Sequence, residues 1–318
     1  MRVFRDPSEI NDRTTRAVSI GFYDGVHTGH RAVLRLVQAR ASAADLLTTV
    51  VTFDRHPAQV LRPDSAPQLL CDLGQKLELL AETGVDETLV IRFDQDRSHE
   101  TAAHFVASVL VDALSARLVV VGEDFHFGHR RGGNVELLTE MGAAGQFEVV
   151  GLGLVGTDGE HARPEAQVSS TAIRRALVEG RLADANAMLG RPHEMRGPVM
   201  PGDQRGRQIG FPTANVAIAD EMLLPADGIY AGHLVRASGE SLPAAIYLGR
   251  RPTFYEDQPA SLLEVHVLDF DGDLYGERVG VRFTHRIRGD QRFDSVDTLA
   301  EQLQRDCDQA RQLVKGLN

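Results

Sequence analysis

The hydrophobic pattern of the chain changes rhythm partway along, and that change limits the folds open to it. Up to about residue 190, short continuous apolar runs alternate with segments of helical period. The strand-like runs are 18–20, 47–53, 88–93, 118–121 and 147–150, and helical patterns lie near 30–43, 74–83, 99–114 and 133–144. Strands apolar throughout, rather than at every second residue, are buried on both faces, so this half predicts a parallel sheet covered by helices. A short helix over 182–189 then stops at Gly190-Arg191-Pro192, as a glycine followed by proline should make it. Beyond it come short strands at 195–200, 228–236, 244–248, 262–268 and 278–284, separated by Gly, Pro and Asp turns. That spacing predicts a small antiparallel barrel. A closing helix follows, with Val296, Leu299, Leu303, Cys307, Ala310 and Val314 on one stripe. Two domains, 1–190 and 191–318, are expected of 318 residues with this pattern.

Composition removes several functions. The formal charge is −11, which argues against a nucleic-acid partner. No apolar run reaches the roughly 20 residues needed to span a bilayer, and residues 1–6 carry no signal-peptide core, so a cytoplasmic protein without a membrane partner is expected. Cys71 and Cys307 are the only cysteines, far apart in sequence, which makes a zinc site or disulfide framework improbable. Lys76 and Lys315 are the only lysines, leaving 34 − 2 = 32 arginines. Neither lysine follows a glycine-rich loop, so a Walker-type nucleotide site is excluded. Phosphate must be met by backbone N–H groups, histidine, arginine or a metal ion. Whether copies of the chain associate is left open, and a homo-oligomer is compatible with it.

Four polar segments carry the chemistry of the first half. Gly21-Phe22-Tyr23-Asp24-Gly25-Val26-His27-Thr28-Gly29-His30 forms a turn from the first strand-like run into a helix. Its glycines allow close backbone approach, the helix start offers unpaired N–H groups that suit phosphate, and His27 and His30 add donors that can become cationic. Asp54-Arg55-His56-Pro57 and Gly122-Glu123-Asp124-Phe125-His126-Phe127-Gly128 follow two further strands, on the edge of the sheet where such folds bind ligands. Ser169-Ser170-Thr171-Ala172-Ile173-Arg174 opens another helix; taken alone it is a helix cap, and with Arg174 one turn along it can hold pyrophosphate.

In the second half, Thr213 and Asn215 lie two apart in an extended segment and so share a face. Two neutral oxygens suit a Mg²⁺ that nucleotide phosphates also hold. Over 262–267 the apolar Leu263, Val265 and Val267 share one face, while Glu264 and His266 take the other.

These motifs resemble known enzymes. His27-x-Gly29-His30 with Ser169-Ser170-Thr171-x-Ile173-Arg174 resembles the nucleotidyltransferase superfamily, and the segments ending in Pro57 and Gly128 resemble its flavin branch, the adenylyltransferase module of bacterial bifunctional riboflavin kinase/FAD synthetases. The segments 210–216, 225–231, 252–254, 264–268 and 273–276 resemble riboflavin kinase. The resemblance implies a Rossmann-like nucleotidyltransferase domain followed by a kinase barrel, with ATP and Mg²⁺ used by both and riboflavin, FMN and FAD as substrates and products. It implies that Gly21, Asp24, His27 and His30 meet the ATP phosphates, that Ser170, Thr171 and Arg174 hold the leaving pyrophosphate, and that Asp124 lies near the adenosine or the metal-bound phosphates. Phe105 and Phe127 are expected to stack on the flavin. In the barrel it implies an ATP site of Gly206, Gly210, Thr213 and Asn215, the last two with Mg²⁺, and Glu264 as general base on the riboflavin 5′-hydroxyl. Arg251 stands where Asn is usual in the family, which raises two alternatives: a paralogue with only the adenylyltransferase active, or a regulator that binds flavin without turnover. A cytidylyltransferase-type enzyme is a third, but it leaves Thr213, Asn215 and Glu264 without a role.

Overall fold

The computed structural model describes residues 1–153, 167–202, 206, 210–250 and 261–315. Arg251 and the Pro252-Thr253-Phe254 segment lie outside the described residues. The chain divides into two compact units, 1–170 and 171–318.

The first unit is a six-stranded sheet, β1 (Arg2–Phe4), β2 (Arg16–Ile20), β3 (Leu47–Phe53), β4 (Glu87–Ile91), β5 (Ala116–Gly122) and β6 (Glu148–Leu152), in the order β1-β4-β3-β2-β5-β6. All pairings are parallel. Its helices include α1 (Thr28–Ala44), α2 (Pro57–Leu61), α3 (Leu73–Ala81), α4 (Gln95–Ser98), α5 (Ala102–Phe105) and α6 (Val135–Gly145). β2 and β4 are buried at every residue, as inner strands of a sheet covered on both faces are, and this includes the polar Arg16, Ser19, Glu87 and Thr88. From β2 the chain moves to β3 on one side and later to β5 on the other. The carboxyl ends of β2 and β5 therefore flank a topological switch point, the usual place for a ligand in an open parallel sheet.

Two features depart from the sequence expectation. β1 is an additional edge strand of three residues. The helical pattern at 99–114 is interrupted: α5 is capped by Thr101 and passes into a π-helical stretch, Val106–Ala113.

The second unit opens, from Thr171 on, with all but the first residue of α7 (Ser170–Val178) and with α8 (Leu182–Leu189). A closed barrel follows, from β7 (His193–Met200), β8 (Ala214–Val216), β9 (Gly228–Val235), β10 (Ser241–Arg250), β11 (Ser261–Val267) and β12 (Arg278–Arg288), in the order β10-β11-β8-β7-β12-β9. Its pairings are antiparallel. Tyr230 and Phe283 are fully buried and meet edge to face at 5.2 Å. Gly232 is required by contact: a Cβ there would lie 1.9 Å from the Arg282 carbonyl of β12.

The closing helix α9 (Val296–Val314) lays Cys307, Ala310 and Val314 on Ala231 and Ala245 of β9 and β10. Val296, expected on that stripe, is 61% exposed, and the buried face instead includes Asp306, whose carboxylate takes two hydrogen bonds from Arg288, at 3.0 and 2.7 Å.

The units divide after Ser170. The reason is that α7 and α8 belong with the barrel: Ala226 donates to the Leu177 carbonyl at 2.9 Å, and Asn186 donates to the Phe283 carbonyl at 2.9 Å.

Candidate active sites

At the switch point of the first unit lies a cavity of about 270 Å³. It is lined by the end of β2 (Ser19, Ile20, Gly21), the following turn (Tyr23, His27, Gly29, His30), the end of β5 (Gly122, Asp124, Phe125), Leu152 and Gly153, and the approach to α7 (167–170). The turn is held in a costly conformation. Tyr23 has φ 56° and Val26 φ 38°, both in the left-handed region that a side chain, above all a β-branched one, disfavours. Neighbours fix it: the Tyr23 hydroxyl donates to Ser19 Oγ at 2.6 Å, Ser19 Oγ donates to the Val120 carbonyl at 2.7 Å, and Val26 packs among Leu34, Val50 and Leu79.

His27 caps α1. Its Nδ1 accepts from the His30 N–H at 3.3 Å, which leaves the ring proton on Nε2. The two imidazoles stack, with centroids 3.6 Å apart and planes 16° from parallel. Burial, then His27, then Lys76 push the His30 pKa well below its usual value, so His30 is a neutral imidazole at neutral pH. His30 Nδ1 is buried and has no hydrogen-bond partner among the described residues.

Asp24, expected among the phosphate ligands, is 2% exposed and outside the cavity lining. Its Oδ1 accepts from Leu70 N at 2.9 Å and Cys71 N at 3.3 Å, and its own carbonyl accepts from Ser170 Oγ at 3.1 Å. It braces the turn and Ser170, the last residue of the first unit. His56 similarly caps α2 in a reciprocal pair with Gln59, and Asp54 accepts from Phe93 N at 2.8 Å. Asp124 is exposed at the cavity mouth.

Phe105, expected against a planar ligand, is 5% exposed within the hydrophobic core because the apolar face of its helix points there. Phe127 is half-buried, 5.9 Å from Phe105, and stacks on Phe125 at 5.4 Å; of these three rings it is Phe125 that lines the cavity. Thr171 and Arg174 stand on α7 just past Ser170 and are counted with the second unit.

Lys76 escaped the sequence reading. It is 2% exposed and donates to the carbonyls of Phe22 and Phe53. Its position in α3, three and four residues before buried Leu79 and Leu80, was the signal that it faces inward.

In the barrel, β8 and β11 pair so that Asn215 lies directly opposite Glu264, and β10 sets Tyr247 opposite Glu264 on its other side. These side chains alternate with the buried Leu263 and Val265 and share the outer face. His266 Nδ1 donates to the Pro212 carbonyl at 2.8 Å, and its ring meets Phe211 at 5.6 Å, which ties β11 to the segment carrying Thr213. Two glycines hug this face: a Cβ on Gly202 would meet the Asn215 amide at 2.2 Å, and one on Gly206 would meet the Phe211 carbonyl at 2.3 Å. Gly210 has φ 86° and open space around it. Most of the loop between Gly202 and Gly210 lies outside the described residues.

A parallel sheet with stacked histidines at its switch point, joined in one chain to a closed barrel with a carboxylate beside an asparagine, defines a two-part enzyme that handles phosphates. Comparison with known proteins makes this specific. A family model described as FAD synthetase matches residues 9–171, and one described as riboflavin kinase matches 189–314. The bifunctional riboflavin kinase/FMN adenylyltransferase of Escherichia coli strain K12 is 38% identical over 91% of this chain and 90% of its own length, and that of Haemophilus influenzae is 36% identical over 93% of each. A solved structure titled as a macrolide-efflux protein from Streptococcus pneumoniae shares the fold, with TM-score 0.85 and 31% identity over 97% of this chain and 98% of that one. The chain belongs to the bifunctional riboflavin kinase/FMN adenylyltransferase family, with the adenylyltransferase module N-terminal and the kinase module C-terminal. Among the described residues no helix is long and apolar enough to cross a membrane.

Proposed function

We propose that FMN is adenylylated in the histidine cavity and that riboflavin is phosphorylated on the Asn215–Glu264 face of the barrel. The observation that carries this reading is the match of two separate enzyme families to non-overlapping residues, 9–171 and 189–314, each containing one of the two sites.

In the first reaction a phosphate oxygen of FMN attacks the α-phosphorus of ATP. One P–O bond forms, the bond to the β-phosphate breaks, and pyrophosphate leaves. The nucleophile is already an anion, so the site needs no base, and its work is positioning and charge stabilisation. His30, as a neutral imidazole, and His27, through its Nε2–H, donate to phosphate oxygens. Ser170 faces the departing pyrophosphate, and Asp124 the adenosine. Thr171 and Arg174 are assigned to the same phosphates on the resemblance alone. Phe125, with Phe127 stacked behind it, offers an aromatic wall to the isoalloxazine.

In the second reaction Glu264 takes the proton of the riboflavin 5′-hydroxyl as that oxygen attacks the γ-phosphorus of ATP, and ADP leaves. The Thr213 hydroxyl and the Asn215 amide oxygen are hard neutral donors that fit Mg²⁺ shared with a nucleotide, and no cluster of three or more His, Cys, Asp or Glu side chains among the described residues offers a cage of its own. Bound there, Mg²⁺ supplies neutralisation of phosphate charge. Gly202 and Gly206 give the backbone its close approach to this face.

Two substitutions test the assignment. His30→Ala is expected to abolish FAD formation from FMN while FMN still forms from riboflavin. Glu264→Ala is expected to do the reverse, lowering the kinase roughly 10²–10⁴-fold. Flavins separated by chromatography give the readout, and loss of both reactions from either substitution in a folded protein refutes one chemistry per module.

A further inference from the structure

Among the buried charges that the two reactions do not use, Lys76 stands apart. Its ammonium donates to the Phe22 carbonyl at 3.1 Å, the Phe53 carbonyl at 2.9 Å and Thr52 Oγ1 at 3.4 Å, and it sits 4.0 Å over the Phe22 ring. All these partners are neutral, and among the described residues Lys76 forms no ion pair. A buried ammonium without a carboxylate partner is costly, and an apolar side chain of similar length would satisfy packing at less cost.

What the ammonium holds is informative. Phe53 ends β3, and Phe22 follows the end of β2, so Lys76 joins the two strand ends from which the histidine turn and the 54–57 segment depart. The Phe22 carbonyl belongs to the peptide that leads into Tyr23, whose left-handed backbone begins the strained stretch, and it also accepts from Thr52 Oγ1 at 3.0 Å.

We propose that Lys76 is a positioning residue for adenylyl transfer, its ammonium clamping the strained histidine turn to the end of β3 in the geometry that receives ATP. This rests on the reading of the histidine cavity as the adenylylation site. Burial pushes the Lys76 pKa down to about 8 from its ordinary 10.5. Cys71 ahead of α3, Asp24 after β2 and Asp54 after β3 pull it back up, and its charge is felt at His30 on α1. The clamp is therefore charged at neutral pH and released just above it.

The test compares Lys76→Met, Lys76→Arg and His30→Ala with the unchanged protein, measuring FAD formation from FMN, FMN formation from riboflavin, and thermal stability, from pH 6.5 to 9.5. Misplacing reacting groups by about 1 Å costs on the order of 100-fold in rate. Lys76→Met is expected to lose FAD formation on that scale in kcat while melting no lower than the unchanged protein at neutral pH. Lys76→Arg recovers part of the rate. The unchanged protein loses FAD formation as pH rises through about 8, and Lys76→Arg does not. A merely structural lysine predicts the opposite pairing, a lower melting temperature with the surviving fraction fully active. The inference is overturned if Lys76→Met forms FAD within about twofold of the unchanged rate, or if both pH profiles coincide; the profiles decide the matter should Lys76→Met not fold. If His30→Ala leaves FAD formation intact, the histidine-cavity reading falls and this inference with it. If His30→Ala abolishes it and Lys76→Met does not, only the inference on Lys76 falls.

Discussion

Removing the Glu87 carboxylate should destabilise the first unit far more than a typical substitution. Arg16 and Glu87 open β2 and β4 at the edge opposite the cavity, and both are fully buried. Glu87 Oε2 accepts from Arg16 Nε at 2.7 Å and from Thr49 Oγ1 at 3.1 Å, while Oε1 takes a bond from Arg2. In Glu87→Ala, Arg16 keeps the Thr14 carbonyl at 2.6 Å and the half-exposed Asp12 at 2.8 Å, but its buried Nε is left facing a void. Breaking one side of a buried, hydrogen-bonded pair costs about 3–5 kcal/mol. For a unit of this size that corresponds to about 6–20 °C in melting temperature. The full chain heated in steps and then assayed for FAD formation reports on this unit, and riboflavin phosphorylation in the same sample serves as control. The double substitution Arg16→Met with Glu87→Leu should recover most of the loss, because a well-packed apolar pair is often no worse than an ion pair. If Glu87→Ala lies within about 1 kcal/mol of the unchanged protein, the pair is not what holds these strand ends.

Two further outcomes concern the barrel. His193 is buried, its Nε2 has no partner among the described residues, and burial followed by Arg191 pushes its pKa down to about 4 from 6.5. The unfolded chain therefore takes up a proton that the fold refuses, so barrel stability is complete above pH 6.5 and falls by roughly 3 kcal/mol as pH drops towards 4. His193→Phe should flatten that slope in urea titrations across the same range, and an unchanged slope places the acid sensitivity elsewhere. Gly232→Ala drives a methyl into the Arg282 carbonyl and should abolish riboflavin phosphorylation by preventing β9 and β12 from pairing, while FAD still forms from supplied FMN. A variant that keeps normal kinase activity would show that the barrel relaxes around the extra carbon.

Much of this arrangement was legible because burial on both faces leaves an unbroken apolar run. β3 was read at its observed bounds, and β2, β4, β5 and β6 to within a few residues. The histidine turn was legible because glycine and histidine crowd between a strand and a helix. β1 was not: three residues, two of them exposed, carry no period. β8 was seen only as an extended segment, because its strand character comes from pairing with Val199 and Leu263, far away in the chain. The family resemblance placed Asp24 with the ligands, but its direction depends on Leu70 and Cys71, which no local pattern connects to it. The neutrality of His30 arises first from burial, which no local pattern encodes, then from its neighbour His27 and last from Lys76, a residue 46 positions along. The division of the units after Ser170 follows from α7 and α8 packing on the barrel, a choice of partner that an amphipathic pattern does not encode.

The three residues of β1 have a consequence for keeping the protein in solution. Among the described residues the barrel closes on itself, whereas the parallel sheet is open at both ends. At one of them β1 covers β4, a strand buried at every residue with the sequence Glu-Thr-Leu-Val-Ile. Without that cover, β4 would present a row of unpaired backbone groups on an apolar strand, a template for another chain to join. Arg2, charged and paired to Glu87, stands at this rim as a guard against such growth. Deleting residues 1–5 should therefore show itself first as concentration-dependent aggregation rather than as lost catalysis.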